Sequence, residues 1–463
     1  MNAPAAKVIR MYEARTEIYP REVRGKFTNW RWVCLWLTQL VFYGMPWLGW
    51  NARQAVLFDL VARKFYIFGL VLWPQDFIYL AALLIICAYS LFLVTAVAGR
   101  LWCGFACPQT VYTEMFLWIE RKTEGDRSAR MLLDRQAPSL NKFARKGAKH
   151  AMWGALALWT GFTFVGYFTP IATLAREVGA ATLGAWETFW ILFYALATYG
   201  NAGWLREQVC KYMCPYARFQ SAMFDKDTLI ITYDNARGEP RAPLRKSAAP
   251  AALAGDCIDC SLCVQVCPTG IDIRKGLQYE CIGCAACVDA CDNVMDKVER
   301  SRGLIRYSTQ RALDFQMTPT DIARRAFRPR VMIYSAILWL IILALGVSLL
   351  LRTPLKLDVL RDRGSMGREV EDGMVENVYR LQIMNTTELT HRYRISVSGV
   401  PSLTLATPAE VSLAGTETRA VPIRLRAAPG AGKPGSNKIS VRLQALDDPS
   451  LQVNETAVFF VPR

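Results

Sequence analysis

The chain has 463 residues, with 55 Lys and Arg against 39 Asp and Glu, and a net charge of +16 at neutral pH. Its length allows two or three folded units, and 52% of it is hydrophobic. Only His150 and His391 are available as imidazoles, expected on opposite sides of a membrane, which excludes a bis-histidine haem and a His-rich metal site.

The hydrophobic residues are gathered in blocks. Windows at 32–50, 77–98, 151–171, 185–204 and 331–351 each approach the roughly 20 apolar residues that a spanning helix needs. Aromatic residues at their edges, among them Trp30, Trp47, Trp50, Trp102, Trp153 and Trp204, favour five membrane helices over buried helices of a soluble protein. Pro46 interrupts the first window and Glu187 opens the fourth, both tolerable near a helix end. Residues 1–28 are too long and polar for the n-region of a signal peptide, so the first helix is expected to remain as a signal anchor.

Lys and Arg set the expected orientation. Seven basic residues precede the first window (Lys7, Arg10, Arg15, Arg21, Arg24, Lys26, Arg31), and the second-to-third loop adds ten, from Arg100 to Lys149. The first-to-second loop has Arg53, Arg63 and Lys64, and the third-to-fourth only Arg176. The N-terminus is therefore placed in the cytoplasm and, with five crossings, the C-terminus outside. A nucleic-acid footprint is the competing source of such charge; it fails because the basic residues flank membrane segments and no binding motif accompanies them.

Between the fourth and fifth windows, Cys257, Cys260, Cys263 and Cys267-Pro268 read C-x2-C-x2-C-x3-C-P. Cys281, Cys284, Cys287 and Cys291 repeat the spacing, with Asp292 in place of the proline. In such double runs the fourth cysteine ligates the other cluster. The expected ligand sets for two 4Fe-4S clusters are thus Cys257, Cys260, Cys263 with Cys291, and Cys281, Cys284, Cys287 with Cys267. Structural zinc takes four ligands in two pairs, not two repeats of four, and the cytoplasmic placement disfavours disulfides.

A second cysteine pattern follows the even-numbered windows. Cys103-Gly104-Phe105-Ala106-Cys107-Pro108 and Cys210-Lys211-Tyr212-Met213-Cys214-Pro215 are both C-x3-C-P. The spacing predicts two sulfurs on one helical face, and the duplication predicts an internal repeat whose four thiols converge. Soft thiolates there suit Cu(I), an iron–sulfur centre or a redox dithiol; the alternative is four small buried hydrophobes. Cys34 and Cys87 lie within helices and read as structural. Met213 is a further thioether, though a lone methionine more often packs. No dinucleotide fingerprint or P-loop appears, so the electrons must come from a partner or a membrane quinol.

Beyond Arg352, alternation at 380–384, 392–397, 419–426, 438–446 and 456–460 predicts short strands of an antiparallel sandwich without cysteine. From Lys356 onward 14 basic residues face 12 acidic ones, so the charge excess lies elsewhere. The expected organisation is a cytoplasmic segment at 1–29, a four-helix membrane domain at 30–205, a connector and Pro/Ala-rich linker at 206–255 and a two-cluster ferredoxin module (α+β) at 256–300. A basic connector at 301–330, a fifth transmembrane helix at 331–351 and an all-β domain at 356–463 complete it.

The order of helix pair, Cys103–Cys107, helix pair, Cys210–Cys214, double ferredoxin run, fifth helix and outer sandwich resembles the FixG/CcoG/RdxA family, accessory proteins of cbb-type cytochrome c oxidase assembly. The resemblance covers nearly the whole chain. It implies an immunoglobulin-like C-terminal domain and a cupric reductase that matures the oxidase copper centre. Cys103, Cys107, Cys210 and Cys214 would then bind or reduce copper, with oxidase subunits or copper chaperones as partners and an unknown electron donor. Two other functions compete: a quinol-linked electron carrier like the membrane polyferredoxins of nitrate-reductase systems, which generally lack the outer sandwich, and a non-enzymatic assembly scaffold with structural clusters.

Overall fold

The computed structural model describes residues 17–243, 255–362 and 367–462. Lys7, Arg10, Arg15 and most of the expected linker (244–254) lie outside the described residues. The chain forms two compact units, one of residues 1–48 with 83–340 and one of residues 49–82 with 341–463.

In the first unit, α1 (Lys26–Gly44) leads into a 3-10 turn at Met45–Trp47. The first expected window, 32–50, is thus displaced: the helix begins earlier and stops at Gly44, because Pro46 has no N–H to extend it. Next come α2 (Phe77–Ala98), α3 (Leu101–Phe105), α4 (Pro108–Glu124), α5 (Arg127–Arg135) and α6 (Leu140–Val165). The third window lies in α6, whose first turns carry Lys142, Arg145, Lys146 and Lys149. A short α7 (Ile171–Ala180) precedes α8 (Ala185–Thr198), which widens into a π-helical turn at Tyr199–Leu205. Glu187 sits in the first turn of α8, where a carboxylate favours the helix dipole.

Among the described residues two helical segments are long and apolar enough to cross a bilayer, Pro74–Ala98 and Pro329–Leu350. The pair Ile171–Ala180 and Ala185–Leu205 passes only together, bent by 98°. The five expected spans are therefore two that stand clear and a third that is broken. Polar residues such as Asn29, Arg31 and Gln39 dilute α1, and the basic first half dilutes α6.

After α9 (Pro215–Met223), strand Ile230–Tyr233 runs antiparallel to Ile305–Ser308, with Ile231 opposite Tyr307. Between these strands lie the one-turn helix α10 (Asn235–Gly238), α11 (Leu262–Gln265) and α12 (Ala286–Lys297). Ile231, Tyr233, Ile273, Val288, Met295, Leu304 and Ile305 form an apolar core around Cys257 and Cys263. The cysteine module thus draws its core from strands on both sides of 256–300. Two short helices, α13 (Gln310–Asp314) and α14 (Pro319–Arg325), lead to α15 (Pro329–Leu350).

The second unit is built on an antiparallel sandwich. One sheet orders Thr404–Leu405, Thr418–Ala427, Val375–Asn385 and Leu355–Arg361; the other orders Glu410–Leu413, His391–Ser398, Gly435–Ala445 and Gln452–Val461. Alternating residues face inward, so Leu381, Ile383, Tyr393, Ile423, Leu425, Val441, Leu443 and Phe459 are buried together. Met384, which shares its side of the strand with Arg380 and Gln382, is nevertheless buried. It packs under Leu57, Tyr66, Val71 and Trp73 of a three-stranded meander (Val56–Asp59, Lys64–Ile67, Leu70–Leu72) that the sequence pattern did not announce.

Candidate iron–sulfur and thiol site

The two C-x3-C-P motifs adopt matching local structures, but not the single helical face expected of the spacing. Cys103 lies within α3, whereas Cys107 is the N-cap of α4, with φ −62° and ψ 128°. Cys210 lies in a π turn (Val209–Met213), and Cys214 is the N-cap of α9, with φ −79° and ψ 108°. Pro108 and Pro215 impose this: proline disfavours the α conformation in the residue before it and is suited to the first helical position. Each motif therefore offers one thiol within a helical turn and one at the start of the next helix.

The four thiols are electrostatic neighbours. Burial pushes Cys210 up to about 12, and the neighbouring Cys107, Cys103 and Cys214 add to the shift while Arg100 opposes it. Burial likewise raises Cys103 to about 11, with Cys107 and Cys214 contributing and a hydrogen bond to Gln220 opposing. For Cys107 burial wins over the backbone N–H groups of Gln109 and Thr110, which favour its thiolate. The Cys103 thiol donates to Gln220 Oε1 at 3.4 Å, and the Gln220 amide reaches Thr95 Oγ1 at 3.3 Å. Gln220 is fully buried on α9, so it ties the second motif's helix to the first motif's cysteine.

In the ferredoxin module, burial raises Cys291 to about 12, with Cys263, Asp292, Cys257 and Cys260 as charged neighbours. Burial also carries Cys287 well above the ordinary thiol value, with Cys284, Cys281, Cys267 and Cys263 adding to it. The neighbours of Cys291 are thus the first three cysteines of the first run. Cys267 sits among the first three of the second. A cavity lined by Cys263, Cys267, Cys281, Cys284 and Cys287 is walled by Ile231, Ile271, Ile273 and Ile282. Among the described residues no three His, Cys, Asp or Glu side chains close up as ligands of a single metal ion do. Thiols lining an apolar hollow are the donor set that a 4Fe-4S cubane takes. Asp292, in place of the expected proline, accepts the Gly303 N–H at 2.9 Å.

The thiol quartet packs directly on this module. Cys103 and Cys210 touch a core of Val266, Ile282, Cys284, Ala286 and Ala290. Arg100 donates to the Tyr279 carbonyl at 2.6 Å and lies over the Tyr279 ring at 4.9 Å. Gly283 takes a positive φ of 69° against the Arg100 carbonyl, a conformation that suits glycine. Asp289 of α12 accepts the N–H groups of Phe27 (3.1 Å) and Thr28 (2.7 Å) and the Thr28 hydroxyl (2.8 Å), capping α1. Arg100, Gln220 and Asp289 carry no motif, and no spacing rule points to them.

Three family profiles match the chain: a 4Fe-4S binding domain at residues 80–124, a 4Fe-4S dicluster domain at 205–310 and the IG-like fold at the C-terminal of FixG at 345–462. The chain is 40% identical over 429 residues to the nitrogen fixation protein FixG of Rhizobium meliloti, covering 85% of this chain and 82% of that one. It is 39% identical over 456 residues to protein RdxA of Cereibacter sphaeroides, covering 95% of each. Protein RdxB of the same organism is 40% identical over 416 residues, covering 88% of this chain and 87% of that one. With its cysteine-lined core, its FixG-type β domain and apolar helices fit for a bilayer, the chain belongs to the FixG/RdxA family and is an iron–sulfur electron-transfer protein.

Proposed function

We propose that this protein reduces Cu(II) to Cu(I) at Cys103, Cys107, Cys210 and Cys214, for insertion into the copper centre of a cbb-type cytochrome c oxidase. The observation that carries the reading is the neighbourhood of these four thiols, two of which, Cys103 and Cys210, pack on the core that contains Cys284. Two 4Fe-4S clusters, held by Cys257, Cys260, Cys263 with Cys291 and by Cys281, Cys284, Cys287 with Cys267, supply one-electron carriers when bound. The thiol quartet receives copper as substrate. Thiolates favour the reduced ion, so binding itself pulls the couple toward Cu(I), and each Cu(II) takes up one electron. Arg100 beside Cys103 and the Gln109 and Thr110 N–H groups beside Cys107 oppose burial and favour the thiolate form that metal binding requires.

Five membrane crossings are proposed, with the N-terminus and ferredoxin module cytoplasmic and the β domain periplasmic in a bacterial inner membrane. The Lys and Arg distribution supports this, as does the single unit formed by residues 49–82 and 341–463, two segments that this arrangement places on the same side. Oxidase subunits or copper chaperones are the partners the reading requires.

The test uses full-length protein in detergent, reduced with dithionite and freed of excess reductant. It should reduce Cu(II), trapped as a Cu(I)–chelator complex, in proportion to its cluster content. The Cys103→Ser/Cys107→Ser variant should lose at least about ten-fold in rate while retaining both ferredoxin clusters by EPR. An unchanged rate removes that pair from the mechanism.

A second reading has its own support: the 4Fe-4S binding domain profile at 80–124 includes Cys103 and Cys107. On that reading the quartet holds a third cluster, and iron analysis returns three cubanes per chain instead of two.

A further inference from the structure

A cavity of about 310 Å³ opens between His150 and Trp153 of α6 and Trp204, Arg206 and Glu207 beyond α8. That volume falls at the start of the range for small-molecule sites, roughly 300 Å³ and upward. Most of its charges are already paired. Glu120 accepts Arg130 at 2.7 Å and Arg206 at 2.5 Å, and Lys149 reaches Glu124 at 3.0 Å. Glu17 is exposed and accepts the Tyr19 hydroxyl, and two groups remain for a ligand. His150 has its Nδ1 bonded to the Tyr199 hydroxyl at 2.8 Å, which leaves Nε2 as the ring's other hydrogen-bonding atom. Glu207 is buried and, among the described residues, pairs with no Lys or Arg; its polar contact is the Gln208 amide at 2.9 Å.

The walls are flat and aromatic. The His150 ring stacks on Trp204 at 5.9 Å with 15° between planes and meets Trp153 edge-on at 5.3 Å. The lining carboxylates Glu17, Glu120 and Glu207 outnumber the cations Lys149 and Arg206, which disfavours an anionic ligand such as a nucleotide. The π-helical turn that supplies Gly203 and Trp204 ends α8, whose exposed face is Trp186, Phe189, Trp190, Phe193 and Leu196. Such a face suits lipid, and π turns are frequent at functional sites.

The cavity is also connected to the thiols. Glu207 lines a second, smaller hollow together with Cys210, Pro268 and Thr269. Gln109, two residues beyond Cys107, donates to the carbonyls of Asn201 (2.9 Å) and Arg206 (3.1 Å). The turn that walls the cavity is therefore bonded to the helix that begins at Cys107.

We propose that this cavity binds a membrane hydroquinone and is where electrons enter the protein. The inference rests on the electron-transfer reading above and names its donor. A neutral aromatic diol matches two aromatic walls, an imidazole and a lone buried carboxylate. On oxidation both O–H bonds break. One proton goes to His150 Nε2 and one to the Glu207 carboxylate, and the two electrons would be accepted one at a time by the 4Fe-4S clusters that the two cysteine runs hold when bound. The quinone then leaves.

The test has a binding arm and a kinetic arm, both on full-length protein in detergent. An azido-substituted short-chain ubiquinone, activated by light, should label peptides containing His150 or residues 199–207, with excess decylubiquinone competing. His150→Gln and Glu207→Gln should each cut this labelling at least about five-fold. In the kinetic arm, dithionite-reduced protein is reoxidised by decylubiquinone. The rate should saturate with quinone and fall at least about ten-fold in both variants, while reoxidation by ferricyanide stays unchanged. Labelling elsewhere, or variant rates equal to wild type, overturns the proposal. Dithionite-driven Cu(II) reduction bypasses the cavity, so a failure there counts against the copper reading and not against this one.

Discussion

Gly104 lies so close to Cys284 that a methyl group at its Cα would stand 2.8 Å from both the Cα and the amide nitrogen of Cys284. The same methyl would be 2.7 Å from the Gly283 carbonyl oxygen. All three are backbone atoms, which cannot rotate away. The first C-x3-C-P motif and the second ferredoxin run are thereby in contact through main chain. Gly104→Ala should push α3 off the module, at a cost of about 1–3 kcal/mol for an overpacked contact. Thermal unfolding should shift downward, and single-turnover electron transfer from the clusters to Cu(II) should slow more than it does for a surface substitution. Unaltered stability and rate together would show that the contact is dispensable.

Asp289 joins α12 to the start of α1, 261 and 262 residues away in sequence. Its carboxylate takes three hydrogen bonds and is buried, so Asp289→Ala leaves two backbone donors without partners. N-cap losses cost about 1 kcal/mol and reach about 2. Hydrogen exchange should rise in residues 26–30 and in α12, whereas the β domain should be unaffected. Asp289→Asn should recover part of the protection, because an amide oxygen still accepts.

Thiol reactivity should follow burial. With the value for Cys103 pushed up to about 11 and that for Cys210 to about 12, iron-free protein at pH 7 holds only about one thiolate in ten thousand at Cys103. The thiolate is the reactive form. Alkylation followed by mass spectrometry should therefore find both cysteines slow at neutral pH, accelerating about ten-fold per pH unit up to about pH 11. Fast labelling at pH 7 would mean that the quartet opens to solvent once metal is removed.

Asp76 anchors the meander at 56–72 to the β domain. Its buried carboxylate accepts Arg352 Nη2 at 2.7 Å, the Lys356 ammonium and the Trp73 N–H at 3.0 Å. Removing one member of a buried ion pair costs about 3 kcal/mol or more, since the partners stay buried. Asp76→Asn should loosen residues 53–72 in hydrogen exchange and expose Met384 to oxidation by dilute peroxide. A meander that stays protected in the variant would assign its attachment to the apolar contacts of Trp73 and Val71 alone.

Much of the architecture follows from local pattern. The double cysteine run, the two C-x3-C-P motifs, the span at Phe77–Ala98 and the inward alternation around Leu381 and Ile395 each depend on residues close in sequence, where spacing alone dictates which side chains share a face. Locally encoded proline effects were also legible in principle: Pro108 and Pro215 split each thiol pair between two helical segments, although spacing by itself put both sulfurs on one face. What required the folded chain is every relation across long separations. Asp289 capping α1, Gln220 reaching Cys103, Gly104 against Cys284 and Met384 beneath Trp73 join residues with no shared periodicity. The sequence determined that eight cysteines form a ferredoxin module and that four more stand apart in two matching motifs. Only the tertiary structure decided that the four are neighbours and that Cys103 and Cys210 rest on the core around Cys284, because close approach of two backbones depends on how helices pack and not on the order in which their residues occur.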